Sequence, residues 1–295
     1  MNRCLLLLSI FFFTDSVAFS QDDIQKKQQE FARKMNDSSM IYGRNSATGK
    51  YYDIRGFKMY VEVYGHGQPL LIIHGNGGSI NNFLYQIPYF EKNYQVIIAD
   101  SRAQGKSTDP GDSLTYEMMA DDYAALLDAM KIDSADVIGW SDGGINGLLL
   151  AIRHPEKVKK LAVTGANLRP DTTAVWQEVW DMVTPTYNML KKKVTKTDMD
   201  KAVLKLYRLL IEQPHIPLDD LHQISCPALI IGGDHDMIKE EHTMEVYKNI
   251  RDGYLWILPN SGHSTPVVYA DEFNKKVDDF FKQPYRRISK GKRFF

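Results

Sequence analysis

The stretch VIGWSDGGI, residues 137–145, places a serine between two glycines, directly after a run of β-forming residues and directly before a helical pattern. Residues 139–143 fit G-x-S-x-G, in which a serine occupies a sharp strand-to-helix turn with its oxygen exposed. The glycines suit such a turn because a tight elbow leaves little room for side chains. The stretch therefore predicts a strand, an elbow at Ser141 and a helix, with Ser141 as a nucleophile.

Short continuous apolar runs recur on both sides of this elbow. Runs without polar alternation are typical of strands buried on both faces of a parallel sheet. They are LLIIHG (70–75), QVIIAD (95–100), DVIGW (136–140), KLAVTGAN (160–167), ALIIGG (228–233) and YLWILPN (254–260). Helical spacing of apolar residues lies between most of them, as in residues 116–130, and again near the end at 269–281. The alternation predicts a doubly wound α/β fold, with a mostly parallel sheet and helices on both faces.

Changes in local composition along the chain also predict how it is divided into structural units. From residue 51, the runs YYDIRG and FKMYVEVYG are broken at glycines, which predicts an antiparallel hairpin that opens the sheet. Residues 168–222 separate two predicted strands. This interval is too long for a simple crossover and carries two helical patterns, which predicts a cap. We expect its large apolar residues to form the core of the cap rather than substrate contacts. The predicted units are a polar segment (21–50, a loosely attached helix or linker), a core (51–167 and 223–283), a helical cap insertion (168–222) and a basic tail (284–295).

The first twenty residues, MNRCLLLLSIFFFTDSVAFS, have the pattern of a secretory signal peptide. They combine one basic residue, an apolar stretch from Cys4 to Phe13 and a small-x-small site at residues 18–20. The apolar stretch falls well short of the roughly 20 residues that span a bilayer as a helix. We expect cleavage after Ser20, no stable membrane insertion afterwards, and a secreted or periplasmic protein.

Composition excludes some partners. The formal net charge is −1 and the pI is about 6.7, so no general attraction to nucleic acid is expected. Signal cleavage would remove Cys4 and leave Cys226 alone, so no intramolecular disulfide is possible. A lone cysteine before an apolar run is typical of a small buried hydrophobe. The sequence leaves the oligomeric state open.

A serine hydroxyl is a poor nucleophile at neutral pH, so it needs a histidine base, and the histidine needs a carboxylate. Both should follow later strands, in the order Ser, Asp, His. ALIIGGDHDMI places Asp234 and Asp236 after one strand, and LPNSGHSTP places His263 after the next. Carboxyl ends of strands are where open α/β sheets bind ligands.

Taken together, GWSDGG, HGNGG at 74–78, D-x-R-x-x-G-x-S at 100–107 and GDHD followed by GH resemble the α/β-hydrolase family over residues 51–283. GWSDGGINGLLLAIRHPEKVKKLAVTGAN and YADEFNKKVDDFF are similar to its valacyclovir hydrolase (biphenyl hydrolase-like) branch. The resemblance implies Ser141 as nucleophile, Asp236 as the acid of the triad and His263 as base. Asp234 is the rival acid. Carboxylate and imidazole groups at 234–236 are also conceivable metal ligands, a weak alternative; we expect no metal and no cofactor.

The family motifs further imply an oxyanion hole made of the backbone N–H groups of Asn76 and Asp142. The Asp142 carboxylate has two interpretations of similar weight. It could stabilise the following helix by interacting with the positive end of the helix dipole. Alternatively, it could bind a substrate ammonium, as the resemblance also implies. Two residues depart from the commonest family form, Ala103 and Gln104, so the loop that carries them is expected to differ in shape.

An aspartate nucleophile stands at the elbow in the epoxide hydrolases and haloalkane dehalogenases of this fold, so Ser141 argues against those activities. We expect hydrolysis of small-molecule carboxylic esters through an acyl-enzyme, with a possible preference for α-amino acid esters. Lactones, thioesters, amides and carbon–carbon bonds remain open to the same triad. A catalytically silent, ligand-binding relative, or an interaction role of the basic tail, is a less favoured hypothesis.

Overall fold

The computed structural model describes residues 21–286, so the predicted signal peptide and most of the basic tail lie outside the described residues. A single eight-stranded sheet organises this part of the chain. Its strands are β1 (Lys50–Ile54), β2 (Phe57–Tyr64), β3 (Gln68–Ile73), β4 (Tyr94–Ala99), β5 (Ala135–Trp140), β6 (Val158–Thr164), β7 (Ala228–Gly233) and β8 (Gly253–Leu258).

The strand order across the sheet is β1-β2-β4-β3-β5-β6-β7-β8. The six neighbouring strands β4, β3, β5, β6, β7 and β8 pair in parallel. Strand β2 pairs with both β1 and β4 in antiparallel fashion. The predicted hairpin at the start of the sheet is therefore confirmed. The central strand β5 lies between β3 and β6, with Gly139 opposite Ile73 on one side and Val163 on the other. This register places the elbow at the carboxyl end of the most central strands.

Nine helices accompany the sheet within residues 21–286: α1 (Gln21–Asn36), α2 (Ile87–Phe90), α3 (Tyr116–Ala129), α4 (Asp142–Arg153), α5 (Gln177–Lys192), α6 (Asp198–Glu212), α7 (Glu240–Lys248), α8 (Thr265–Val268) and α9 (Ala270–Lys282). Two apolar clusters form the core, one on each face of the sheet. The first cluster includes residues of α3 and α4, and Phe273, Val277 and Phe281 of α9 belong to the second. The predicted α/β-hydrolase fold, with helices on both faces, is confirmed.

Helix α1 is attached more firmly than its sparse apolar residues predict. Phe31 and Met35 are 6% and 7% exposed and pack on Leu84 and Val267. Lys27 adds a hydrogen bond from Nζ to the carbonyl oxygen of Val268 at 2.7 Å. Two buried side chains one helical turn apart are enough to attach the helix when a complementary surface exists elsewhere in the chain.

Between β6 and β7 lie α5 and α6, which we call the cap helices. They pack on each other through Val183, Tyr187, Leu190, Leu204 and Tyr207. Other apolar residues expected in the cap core are exposed instead, namely Trp176 and Met199. The limits 168–222 of the cap, like the other domain limits, stay predictions.

Leu206 and Leu209 of α6 are buried in the first core cluster, and three polar contacts also tie α6 and its C-terminal end to the core. Lys205 Nζ forms an ion pair with Asp109 Oδ2 at 2.5 Å and also donates to the carbonyl oxygen of Gly111. Gln213 donates from Nε2 to the carbonyl oxygen of Leu114 at 3.1 Å. No helix within residues 21–286 has the length and apolar character needed to cross a membrane.

Candidate active site

Ser141 lies at the predicted elbow, between the end of β5 and the first residue of α4. Its φ of 59° and ψ of −122° are a strained combination for a residue with a side chain. The flanking glycines are required by close approach: a Cβ on Gly139 would collide with the carbonyl oxygen of Gly143, and a Cβ on Gly143 with that of Ile73. Tight contact of α4 with the sheet thus fixes the strained turn that presents the Ser141 hydroxyl.

Three predicted site residues form one chain of hydrogen bonds. His263 Nε2 lies 2.9 Å from Ser141 Oγ, and His263 Nδ1 lies 2.7 Å from Asp236 Oδ1. Asp236 follows β7 and is 3% exposed; its Oδ1 also accepts from the Ile238 N–H at 3.1 Å. The Trp140 indole donates to the carbonyl oxygen of His263 at 2.8 Å, which holds the histidine loop beside the elbow. A hydroxyl, an imidazole and a buried carboxylate are therefore aligned for proton transfer.

Asp234, the rival acid, lies elsewhere. Its Oδ1 accepts from the Ser261 N–H at 3.0 Å and lies 2.8 Å from His235 Nδ1. Its side chain is 38% exposed, and neighbouring donors lower the pKa of its carboxyl. Asp234 thus shapes the loop that leads to His263, whereas Asp236 contacts the imidazole.

Residues 74–78 form a loop, which we call the oxyanion loop. It packs against the nucleophile, since a Cβ on Gly75 would lie 3.1 Å from Ser141 Cβ. The loop is held by its own bonds: the Gly78 N–H donates to the Gly75 carbonyl at 3.1 Å. Within the described part of the chain, the Asn76 N–H has no hydrogen-bond partner. The Asp142 N–H opens α4, where backbone N–H groups lack intrahelical acceptors. Both predicted oxyanion donors are free to bind an anion.

His74, at the start of this loop, is buried, and burial lowers its pKa to about 4. Its Nε2 accepts from the Ser101 N–H at 2.9 Å, so the proton of the neutral ring is on Nδ1, which donates to the Gly75 carbonyl at 2.8 Å. A neutral His74 therefore links the oxyanion loop to the loop after β4.

The Asp142 side chain is only 2% exposed. Its Oδ2 accepts from Asn76 Nδ2 at 2.8 Å, and the buried Tyr116 hydroxyl nearby favours the ionised form of its carboxyl. Burial raises the pKa of this carboxyl to about 6. Asn76 Nδ2 also donates to the carbonyl oxygen of Leu206 in cap helix α6, at 3.2 Å. Asn76 and Asp142 are thus joined through their side chains as well as by their position beside Ser141.

Gln104 is a site residue whose role the sequence did not predict. It is 5% exposed, and its Oε1 accepts from the Gly77 N–H of the oxyanion loop at 2.7 Å. Ala103 adopts a φ of 64°, which turns the backbone toward this contact. The sequence did indicate that residues 103–104 depart from the common family form. The role of Gln104 could not be predicted from this, because its hydrogen-bond partner lies 27 residues away.

Asp100 supports the same region. Its Oδ1 accepts from the Ile80 N–H at 2.9 Å and its Oδ2 from the Lys106 N–H at 2.7 Å. Burial raises the pKa of its carboxyl to about 6. Within residues 21–286, no three His, Cys, Asp or Glu side chains are grouped as a metal site.

Relatives of known type match most of the chain. The chain is 36% identical over 259 residues to the 2-hydroxymuconate semialdehyde hydrolase of Pseudomonas sp. (strain CF600), covering 77% of this chain and 92% of that protein. It is 26% identical over 254 residues to the serine hydrolase BPHL of Homo sapiens, covering 80% and 87%. The first of these likenesses is strong enough to establish common family membership.

A solved structure supports the fold. The α/β hydrolase MGS-M2 from a Medee basin deep-sea metagenome library superposes with a TM-score of 0.71 at 19% identity, covering 81% of this chain and all of that one. Residues 68–194 match the family described as alpha/beta hydrolase fold. Fold, elbow and relatives agree: the chain is a member of the α/β-hydrolase family and is similar to its biphenyl hydrolase-like branch.

Proposed function

We propose that this protein is a serine hydrolase that cleaves carboxylic esters of small molecules through an acyl-enzyme. The observation that carries the proposal is the aligned chain from Ser141 Oγ to His263 (2.9 Å) and from His263 to Asp236 (2.7 Å), beside two free backbone N–H groups. The fold alone does not determine a reaction, but this arrangement of nucleophile, base and anion donors is suited to acyl transfer.

In the first half-reaction, Ser141 Oγ attacks the ester carbonyl while His263 Nε2 takes the hydroxyl proton. Asp236 holds the imidazole with Nδ1 protonated and stabilises the imidazolium that forms. The carbonyl oxygen becomes an oxyanion, which accepts from the N–H groups of Asn76 and Asp142. Collapse of this intermediate breaks the ester C–O bond, and His263 gives its proton to the departing alcohol.

In the second half-reaction, water attacks the acyl-Ser141 carbonyl and His263 accepts a proton from it. The same two N–H groups stabilise the second oxyanion, and collapse returns the proton to Ser141 Oγ and releases the carboxylic acid. All steps use side chains and backbone groups of the chain itself, and the neutral ground state of His263 is restored at the end.

The test uses a fluorophosphonate probe together with a substrate panel of a short-chain ester, a lactone, an amide and a vinylogous 1,5-diketone. We expect probe adducts on Ser141 and turnover of the ester, both absent in Ser141→Ala. Preferred turnover of the diketone would instead assign carbon–carbon bond hydrolysis, an alternative that the 36% identical Pseudomonas semialdehyde hydrolase keeps open. Absence of any adduct on folded protein would favour a ligand-binding relative.

A preference for α-amino acid esters is the finer proposal. It is supported by Asp142, a buried carboxylate next to the nucleophile that forms no ion pair with any side chain of residues 21–286. A substrate ammonium would stabilise the ionised form of such a group. Against this, Asn76 already donates to the carboxyl, so an ammonium would have to share or replace that bond.

The comparison of an α-amino acid ester with its des-amino analogue, in wild type and in Asp142→Asn, separates the two roles of Asp142. We expect the substitution to weaken kcat/KM for the amino ester selectively. Equal losses on both esters would leave Asp142 as a support of Asn76, with general ester hydrolysis intact.

Secretion or export to a periplasm is also proposed, on the signal-peptide pattern of residues 1–20. Expression with the natural N-terminus in a bacterial host, followed by mass spectrometry of the purified protein, tests it. We expect a chain that begins at Gln21; an exported chain that retains Met1 would contradict cleavage.

A further inference from the structure

The cap helices expose an unusual amount of apolar surface. Of the large hydrophobic side chains that are exposed within residues 21–286, most lie on the cap. They are Trp176, Met182, Met189, Val194 and Met199. Val194 is 98% exposed and Met189 62%. A concentration of large exposed apolar side chains in one part of a fold indicates an interaction site more than scattered single residues do.

Two of these residues, Met182 and Met189, lie on one face of α5. Met182, Pro185, Met189 and Lys192 recur at intervals of three and four, so they share the outward side of the helix, and all four are exposed. The opposite side of α5 buries Val183, Tyr187 and Leu190 against α6. The outward face begins with the exposed Glu178, is apolar from Met182 to Met189, and is additional to the face that holds the cap together.

Lysines concentrate where this face ends. The segment KKKVTK, residues 191–196, surrounds the exposed Val194 with four lysines and no acidic residue. Lys193 pairs with Asp200 at 2.7 Å, and Lys191 pairs with Glu212 at 3.7 Å and donates to the Tyr187 hydroxyl at 2.9 Å. Lys196 contacts only backbone carbonyl oxygens, and Lys192 has no ion pair or hydrogen bond within the described residues. Two of the four lysines are thus paired with carboxylates, and Lys192 and Lys196 present uncompensated positive charge beside the exposed Val194.

We propose that the C-terminal half of the outward face of α5 and residues 189–196, which carry no exposed carboxylate, dock reversibly on an anionic lipid bilayer. Exposed methionine and valine side chains would enter the headgroup boundary, while the lysines contact anionic headgroups, as in basic amphipathic surface helices. A second copy of the chain is a poorer occupant, because a two-fold interface would bring both lysine clusters together. The proposal rests on this surface alone and holds whichever bond the site cleaves.

The docking surface is linked to the catalytic centre through α6, on which α5 packs. The partner of α5, α6, contacts the oxyanion loop directly, through the Leu206 carbonyl and Asn76 Nδ2. A substrate that partitions into the membrane would thus approach the cap before it reaches water. The outward face of α5 contacts none of the residues that surround Ser141, so changes on it leave turnover of a soluble ester unchanged.

Sedimentation with vesicles tests the proposal, using phosphatidylcholine vesicles with and without phosphatidylglycerol. We expect binding only to the anionic vesicles, lost at high salt. Lys192→Glu combined with Lys196→Glu weakens this binding by at least about 25-fold, since each lysine contributes about fivefold. Val194→Ser combined with Met189→Ser weakens it as well. All variants share one N-terminus, so any contribution of residues 1–20 cancels.

The matched control is Lys92→Glu combined with Lys248→Glu, which makes the same change in net charge at exposed positions outside the cap. Binding of the control should equal that of wild type, and probe labelling of Ser141 should be the same in every variant. No sedimentation of wild type with anionic vesicles at low salt, or equal losses in control and cap variants, would overturn the proposal. So would a dimer in size-exclusion chromatography that the cap variants abolish, without vesicle binding, because a second copy would then be the occupant.

Discussion

Asn76 Nδ2 lies 2.8 Å from Asp142 Oδ2, so the two residues whose backbone N–H groups flank Ser141 are also bonded through their side chains. A backbone donor is useful to a developing oxyanion only if it is held in place beforehand. The bond between the two side chains couples the loop after β3 to the first turn of α4. Asp142 thereby supports Asn76, in addition to any contact with substrate.

The buried carboxyl of Asp142 predicts a pH dependence of stability. Its pKa is about 6 in the folded chain against 3.8 for the ordinary side chain. Between these values the folded state binds more protons than the unfolded state, so stability falls as pH rises through this window, by about 3 kcal/mol in all. In Asp142→Asn this loss disappears. Urea unfolding of both proteins from about pH 4 to about pH 7 should show the difference moving in favour of the variant; a constant difference would contradict the assignment.

Asp236 and Asp234 offer a matched pair. Asp236→Asn removes the acceptor of His263 Nδ1–H, and we expect kcat for an ester to fall about 10⁴-fold. Asp234→Asn removes a carboxylate that contacts His235 and the Ser261 N–H but not the imidazole of His263, and most of the activity should remain. Steady-state kinetics with the same ester decide between them. The reverse order of effects would identify Asp234 as the acid.

Gln104 is predicted to position the oxyanion loop through the Gly77 N–H. Gln104→Leu should lower kcat about 10- to 100-fold with little change in KM, because a misplaced donor weakens only the transition state. Gln104→Glu keeps an acceptor oxygen at the same place and should recover most of the activity. If both variants lose activity equally, or if KM alone rises, Gln104 has a different role.

Helix α1 is predicted to contribute to stability through Phe31. Phe31→Ala should lower the free energy of unfolding by about 2–4 kcal/mol, since the ring is buried against Leu84 and Val267. Gln29→Ala, on the exposed side of the same helix, should change it by less than about 0.5 kcal/mol. Chemical unfolding measures both. Equal, small effects would mean that the helix is loosely attached, as its sequence first suggests.

Local patterns were sufficient for most of the fold. Apolar runs define β3 to β8 because strands buried on both faces tolerate few polar residues. The elbow is equally local: Gly139 and Gly143 are required by contacts four residues apart or with a neighbouring strand, so G-x-S-x-G predicts the strained backbone of Ser141 well. The order of Ser141, Asp236 and His263 along the chain follows from which strands end at the same edge.

Contacts between distant segments were beyond the sequence. Asp142 faces Asn76, 66 residues earlier, and no periodicity indicates that its carboxylate is buried rather than exposed to substrate. Gln104 meets Gly77 only because β3 and β4 are neighbours in the sheet. The two apolar residues that attach α1 could be recognised only once the surface of Leu84 and Val267 was known. In each case the missing information is a partner, not a propensity.

The bond from Asn76 to the Leu206 carbonyl has a consequence for the timing of the reaction. If α6 swings away to admit a substrate, Asn76 loses one of its two side-chain acceptors, and the anion-binding groups are held less firmly during the interval in which bulk water has access to Ser141. Return of the helix restores that acceptor at the moment the ester is enclosed. Such a motion would separate entry from chemical competence in time, and it would have to expose Leu206 and Leu209, which α6 buries in the core.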